Sequence, residues 1–105
     1  MNYNLPMREI YKSASYERWF RKLKDRQAQA RINARIRRIE ESGNFGDAKP
    51  VRDGVSEMRI DYGPGYRLYF MQRGSVWVLL LAGGDKSTQQ ADIRAAIEIA
   101  KEWKD

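Results

Sequence analysis

Apolar and polar side chains alternate along two stretches in the middle of the chain, residues 56–62 and 66–71. This period of two is typical of β-strands with unlike faces. Turn-forming residues occupy 61–65 and 72–75. Residues 76–82 are uninterruptedly apolar and rich in Val and Leu, which is typical of a strand covered on both faces. The pattern predicts three consecutive antiparallel strands, with the third at the centre of the sheet.

Two earlier segments carry apolar residues at the three- and four-residue steps of amphipathic helices. The first follows a cap at Ser13 or Ser15, and the second follows a cap at Asp25 and ends at Ser42-Gly43. The two apolar stripes are Tyr16, Trp19, Phe20 and Leu23, and Ala28, Ile32, Ile36 and Ile39. They predict a helical hairpin that packs against the sheet.

The remaining segments complete the predicted order. Met7 to Lys12 is predicted to form a strand, and residues 44–53 a loop or an irregular strand. Gly83-Gly84 is predicted to be a flexible connection, and Ser87 with Gln90 resembles a capping box that opens a closing helix. The 105 residues therefore predict a single α+β domain whose helices gather on one face of the sheet.

Composition excludes several classes of function. The chain contains neither cysteine nor histidine, so disulfide frameworks, zinc chemistry and histidine acid–base catalysis are excluded. The Asp and Glu residues are scattered, and residues 84–87 lack the opening glycine of a P-loop, so we expect neither a metal nor a small-molecule cofactor. No apolar run resembles a signal peptide or a membrane span. We expect a cytoplasmic protein that has no membrane partner.

The net charge of +6 indicates an anionic partner, and the excess lies in the first part of the chain. Residues 1–42 contain eleven Lys or Arg against five Asp or Glu, whereas residues 43–105 contain nine of each. This distribution fits either a solvated helical face or a surface that binds nucleic acid.

Three cations of the sheet region predict a phosphate site. Arg59 and Arg67 share the strand parity opposite to the core residues, so in a hairpin they stand on one face. Lys86 follows the third strand where a helix begins, and backbone N–H groups at a helix start favour anions. Arg holds phosphate through paired hydrogen bonds, and Lys acts as a movable point charge. Such a set suits RNA cleavage by the ribose 2′-hydroxyl, with Lys86 as acid, base or electrostatic clamp.

Each of these residues also has an ordinary explanation. A strand Arg flanked by carboxylates commonly forms a surface ion pair, and Asp85 fits a role in stabilising the helix dipole. Tyr66 and Tyr69 fit packing roles, because aromatic side chains are favoured in strands. The residue types alone leave both explanations open.

Two runs of sequence resemble the small toxins of type II toxin–antitoxin systems, above all the HigB-like addiction module killer branch of the RelE/ParE superfamily. The runs are residues 57–70, EMRIDYGPGYRLYF, and residues 79–89, LLLAGGDKSTQ. The resemblance covers nearly the whole chain, and the family's RelE-like fold has the element order predicted above. It implies a toxin that cuts mRNA on the translating ribosome without a metal. It also implies a cognate HigA-like antitoxin as a partner.

The resemblance implies catalytic roles for three residues. Arg67 matches the strand arginine that contacts the scissile phosphate in RelE-type toxins, Lys86 falls where they carry a basic residue after the last strand, and Arg59 stands near one of their strand lysines. The C-terminal tyrosine of RelE and the histidines of some HigB toxins have no match here. The candidates for the general base are therefore Lys86, Asp85 and Glu57, in that order.

The predicted RNA-binding residues are Lys49, Arg52, Arg31, Arg35 and Arg38, and the helices of residues 16–39 are expected to contact ribosomal RNA. Two other functions stay open: a non-enzymatic, ParE-like inhibitor of DNA gyrase, and a detoxified module that only binds its antitoxin. A basic surface of this kind is expected to attract an acidic segment of the antitoxin.

Overall fold

The computed structural model describes residues 8–103 and shows one five-stranded sheet with helices on both of its faces. The strands are β1 (Glu9–Lys12), β2 (Ala48–Arg52), β3 (Val55–Ile60), β4 (Tyr66–Arg73) and β5 (Trp77–Asp85). The helices are α1 (Ala14–Lys22), α2 (Arg26–Ser42) and α3 (Gln89–Glu102), with a 3₁₀ turn, Lys86–Thr88, before α3. The α+β class is confirmed. Met7, expected to open the first strand, lies outside the described residues.

The order of the strands in the sheet is β1-β5-β4-β3-β2. β5 pairs antiparallel with β4 and parallel with β1, and the other neighbours are antiparallel. Val78–Ala82 are buried, each with no more than 7% of its surface exposed. The long apolar run is thus an interior strand covered on both faces, as its composition predicted, although β4 and not β5 lies at the centre of the sheet.

The helices do not gather on one face of the sheet, and that prediction is wrong. Helices α1 and α2 cover one face, where Ile32, Ile36 and Ile39 pack with Met58 and Leu68. Helix α3 covers the opposite face and packs there on a second apolar cluster that contains Val55, Tyr69, Leu79, Leu81, Ile93, Ala96 and Ile97. β4 and β5 carry large apolar side chains on both faces, and one helical layer covers only one of them.

The two helices of the hairpin begin and end at the predicted residues. Ser13 Oγ accepts a hydrogen bond from Tyr16 N at 2.9 Å and donates to Leu81 O at 2.6 Å, so the cap also ties α1 to β5. Asp25 Oδ1 accepts from the backbone N–H groups of Gln27 and Ala28. Gly43 ends α2 in the left-handed conformation, with φ of 71°. No helix within residues 8–103 is long and apolar enough to cross a membrane.

Gly83 and Gly84 belong to β5 and are not the flexible connection that the sequence predicted. Both pair with β4, Gly83 opposite Leu68 and Gly84 opposite Arg67. A Cβ on Gly83 would collide with the indole of Trp19, and one on Gly84 with the carboxylate of Asp92. Here glycine permits close packing from α1 on one face and from α3 on the other.

Residues 44–53 contain the edge strand β2, in agreement with the irregular strand that was predicted as one alternative. Pro50 pairs with Ser56 and Arg52 with Val55, so Val51 is an extra residue, a β-bulge. A proline is tolerated here because an edge strand has one row of unpaired N–H groups.

The start of α3 differs from the predicted capping box of Ser87 and Gln90. A 3₁₀ turn intervenes, and its cap is Asp85, whose Oδ1 accepts from Ser87 N at 2.8 Å and from Ser87 Oγ at 2.5 Å. Thr88 precedes α3 and makes no capping hydrogen bond with its side chain; its Oγ1 donates to Asp92 Oδ2 instead. The Ser87 hydroxyl donates to Asp85 and therefore does not cap α3.

Candidate functional site

An open cleft of about 580 Å³ lies where the β3–β4 turn meets the end of β5. Arg59, Arg67 and Lys86 all line it, together with Asp47, Asp61, Tyr66 and the turn residues Gly63, Pro64 and Gly65. A Cβ placed on Gly65 would lie 3.8 Å from Lys86 Cβ and 3.9 Å from Arg67 Nη1. The glycine therefore sits between the two cations, where φ of 81° also favours glycine.

Arg59 and Arg67 are directly opposed residues of β3 and β4, so their side chains share the face of the sheet that α3 covers in part. Arg59 is the more exposed and pairs with Asp47 at 3.0 Å, Nη2 to Oδ1. The hydrogen bond and the charge of Asp47 raise the pKa of Arg59. Arg67 has only 12% of its side chain exposed, and its Nη1 donates to Gly65 O at 3.3 Å.

Glu57 forms the wall behind Arg67. Its side chain is only 1% exposed, and Oε2 lies 3.6 Å from Arg67 Nε and accepts a hydrogen bond from Gln89 Nε2 at 2.9 Å. Oε1 lies 4.0 Å from Lys49 Nζ and accepts no hydrogen bond from the residues described. A buried carboxylate is stable only with compensating charge and hydrogen bonds, and here two cations and one amide supply them. Glu57 thus links the cleft to β2 and to α3.

Lys86 is exposed and is the first residue of the 3₁₀ turn. Within residues 8–103 its ammonium group forms no ion pair. The neighbouring Asp85 is engaged by Ser87, and these hydrogen bonds lower the pKa of Asp85. Asp85 therefore fixes the start of the turn from which Lys86 reaches the cleft.

Comparison with known protein sequences identifies the family of this chain. Residues 18–105 match the family model described as phage-derived protein Gp49-like (DUF891). The chain belongs to the Gp49-like family. An uncharacterized protein of Haemophilus influenzae is 50% identical over 94 residues, which is 90% of this chain and 94% of that protein. The Gp49-like family is RelE-like, and it is often associated with toxin–antitoxin systems.

The five predicted RNA-binding residues of this Gp49-like chain lie in different places. Lys49 and Arg52 line a second groove, next to α3. Arg38 is exposed on α2, and the guanidinium of Arg31 lies 4.6 Å from the ring centre of Tyr62. Arg35 is half-buried.

Arg35 fastens the framework of the site. Its Nη1 donates to Arg59 O at 2.7 Å and its Nη2 to Phe45 O at 3.0 Å. Its guanidinium also packs on Gly46, where a Cβ would approach Nη2 to 2.8 Å. The side chain thereby connects α2 to the end of β3 and to the loop before β2. These contacts engage one N–H of each terminal nitrogen of the guanidinium within the protein.

Two polar residues near the cleft, Gln89 and Asp92, were not found from the sequence, and Tyr69, for which a packing role was predicted, is buried beside them. Gln89 binds Glu57; Asp92 lies over Gly84, and its burial raises the pKa of its carboxyl group. Tyr69 is opposite Glu57, and its buried hydroxyl has no partner among the described residues; burial raises its pKa. The three-residue spacing of Gln89 and Asp92 places both on one face of a helix. That spacing indicates a role near the site only once α3 is known to pack against β4 and β5.

Proposed function

We propose that this Gp49-like chain is the toxin of a type II toxin–antitoxin system, close to the HigB-like branch, and that it cuts mRNA on the translating ribosome. The observation that carries the proposal is that Arg59, Arg67 and Lys86 line one cleft. Arg59 and Arg67 lie close to carboxylates, whereas Lys86 forms no ion pair within residues 8–103, so the open cleft offers an RNA phosphodiester one uncommitted cation beside two arginines.

The chemistry that fits is attack by the neighbouring ribose 2′-oxygen on the phosphorus. A bond forms between the 2′-oxygen and phosphorus, the bond to the 5′-oxygen breaks, and the products are a 2′,3′-cyclic phosphate and a 5′-hydroxyl end. Negative charge grows on the phosphorane oxygens in the transition state. Fixed donors and cations aimed at those oxygens lower the barrier because they need no reorganisation as the charge develops.

We assign each cation a different part in this step. Arg67 is held from behind by Glu57, so its guanidinium is preorganised to bind the phosphorane. Lys86 is exposed and unpaired within the described residues, so it is free to follow the substrate and to donate a proton to the departing 5′-oxygen. Arg59 adds charge at the rim, where Asp47 screens it.

The 2′-hydroxyl proton needs an acceptor, and two of the three candidates are poorly placed. Asp85 is engaged by Ser87, and its lowered pKa makes it a weak base. Glu57 is buried behind Arg67. Lys86 is the candidate that reaches the cleft. Since the proposed step uses Lys86 as the acid, water is our choice for the acceptor of the 2′-hydroxyl proton.

The positive charge of the chain suggests two further partners, ribosomal RNA and an antitoxin. Exposed arginines of α2, including Arg31 and Arg38, form a surface suited to ribosomal RNA. An antitoxin with an acidic segment would meet the same positive field and would bind more weakly as salt rises.

The test is to map mRNA 5′ ends after brief induction of the wild type, of Lys86→Ala and of Arg67→Ala. Lys101→Ala is the control, because it removes one exposed charge on α3, from a lysine that pairs with Glu98. We expect cuts within translated mRNA for the wild type and the control, and loss of cuts and of growth arrest for the two cleft variants. Intact mRNA with a DNA damage response would replace the nuclease with a gyrase inhibitor. Normal growth with intact mRNA and DNA would leave a module that binds its antitoxin.

A further inference from the structure

We propose that the groove between β2 and the start of α3 binds the nucleotide next to the scissile phosphate, an inference that rests on the function proposed above. The groove has a volume of about 300 Å³. It is lined by Lys49, Pro50, Val51, Arg52, Gln89, Gln90 and Ile93. Cations stand along β2, amides stand on α3, and apolar side chains lie between them.

The β-bulge at Val51 builds the cationic side of this groove. Lys49 and Arg52 are three residues apart, and in a regular strand they would point to opposite faces. Lys49 pairs with Glu57, and the extra residue lets Arg52 pair with Val55, which lies on the same face as Glu57. Bulges commonly redirect a side chain beside a functional site. Here the bulge brings two cations to the face on which Arg67 lies.

Glu57 joins this groove to the cleft. Lys49 approaches one of its carboxylate oxygens, at 4.0 Å, and Arg67 approaches the other, at 3.6 Å. Gln89, which lines the groove, donates to the same oxygen that faces Arg67. A phosphate beside Arg67 and a nucleotide beside Lys49 are therefore separated by one buried side chain, so a single strand can occupy both places.

The lining fits a nucleotide better than an acidic peptide. The half-buried Val51 offers an apolar surface to a base, and the exposed Gln90 carries both a donor and an acceptor for a base edge. Lys49 and Arg52 lie where a flanking phosphate needs them.

The first measurement is the binding of a fluorescent, 2′-O-methylated RNA hexamer to the purified full chain over a range of salt concentrations. We expect Arg52→Ala to weaken binding and to lower the slope of log affinity against log salt by about one, the loss of one phosphate contact. Gln90→Ala should weaken binding about threefold or more with an unchanged slope, since it removes a base contact and no charge. The controls are Lys101→Ala for charge and the exposed Gln72→Ala for the amide.

The second measurement is the profile of bases next to the cuts in mRNA, compared between wild type and Gln90→Ala. We expect cutting to continue with a flatter base preference, because the cleft cations are untouched. If both groove variants bind the hexamer and cut mRNA as the wild type does, the groove is not a nucleotide site. A wild type that neither binds the hexamer nor cuts mRNA overturns it as well. Weakened binding of a decaglutamate peptide, with hexamer binding unchanged, would assign the groove to an acidic protein segment.

Different results would contradict the nuclease proposal and the groove proposal. Hexamer binding that depends on Arg52 and Gln90, in a protein that leaves mRNA intact, would support the groove and remove the nuclease. Cleavage that depends on Lys86 but has the same base profile and the same hexamer binding in both groove variants would support the nuclease and remove the groove.

Discussion

Arg59 and Arg67 stand directly opposite each other on β3 and β4, so two guanidinium groups share one cross-strand position. Like charges in this arrangement repel and destabilise a sheet. Each arginine has its own carboxylate: Asp47 lies 3.0 Å from Arg59, and Glu57 lies 3.6 Å from Arg67. The protein tolerates the repulsion because these two separate anions offset it.

The first prediction concerns the geometry of the charged hydrogen-bond donors at position 67. Arg67→Ala should lower mRNA cutting by about 100-fold or more, the usual effect of removing one donor from a transition-state site. Arg67→Lys should recover only part of the activity, because an ammonium group lacks the planar pair of donors. Cut frequencies on a reporter mRNA measure both. Equal activity of Arg67→Lys and the wild type would show that charge alone is sufficient.

The second prediction concerns Glu57 as the anchor of Arg67 and Gln89. Glu57→Ala should lower the free energy of unfolding by about 1–3 kcal/mol, because it leaves the largely buried Arg67 guanidinium and the half-buried Gln89 amide without their acceptor. Glu57→Gln should cost less, since an amide oxygen still accepts from Gln89. Urea unfolding followed by tryptophan fluorescence provides the measurement, and Glu98→Ala, on the exposed face of α3, is the control. A loss for Glu57→Ala no larger than for the control would remove the anchoring role.

The third prediction tests the close packing of α3 on β5. Gly84→Ala should destabilise the protein by about 1–3 kcal/mol, the usual cost of an overpacked contact, because the new Cβ meets the Asp92 carboxylate. Asp92→Ala removes that carboxylate, so the double variant should recover much of the loss. A double-mutant cycle in urea gives the coupling between the two positions. Additive losses would mean that Asp92 is not the group that collides.

The fourth prediction is a pH dependence at the start of α2. The hydroxyl of Tyr62 donates to Asp25 at 2.9 Å, and this bond, with the cap bond from Ala28, lowers the pKa of Asp25 in the folded protein. A carboxyl group with a lowered folded pKa stabilises the fold above its unfolded pKa, near 4, and this stabilisation is lost as the pH falls through the folded pKa. The stability difference between the wild type and Asp25→Asn should therefore shrink between pH 6 and pH 2.

Thermal unfolding at a series of pH values measures that difference. Tyr62→Phe removes the hydrogen bond that contributes most to the lowered pKa, so it should move the loss of stability towards higher pH. A difference between wild type and Asp25→Asn that stays constant over the whole range would contradict the assignment.

The fold was largely predictable because its strongest signals are local. Asp25 and Gly43 mark the two ends of α2, and the apolar run that begins at Val76 marks an interior strand. The placement of α3 on the second face was not predictable in this way. Tyr69 and Met71 share the strand parity of Arg67, opposite to that of the predicted core residues, yet they pack under α3, because aromatic and sulfur-containing side chains suit a core as well as a surface.

The candidate site was predictable only in part. The strand parity of Arg59 and Arg67 predicted that they share a face, and Lys86 was predicted to follow β5. All three line one cleft. Arg35 contacts Arg59, which lies 24 positions away along the chain, and Gln89 contacts Glu57, which lies 32 positions away. No local pattern indicates such contacts. The bulge at Val51 similarly arises from pairing with β3, and it changes the face on which Arg52 lies.

The parallel pairing of β1 with β5 joins residues 68 positions apart, Glu9 with Trp77. During synthesis the basic hairpin of α1 and α2 therefore emerges well before the interior strand that closes the sheet and before Lys86, which completes the cleft. Any nascent chain that stops short of β5 has its arginine-rich surface but lacks the complete cleft. A partner that recognises the hairpin alone would reach the newborn protein before the proposed cleavage site has formed.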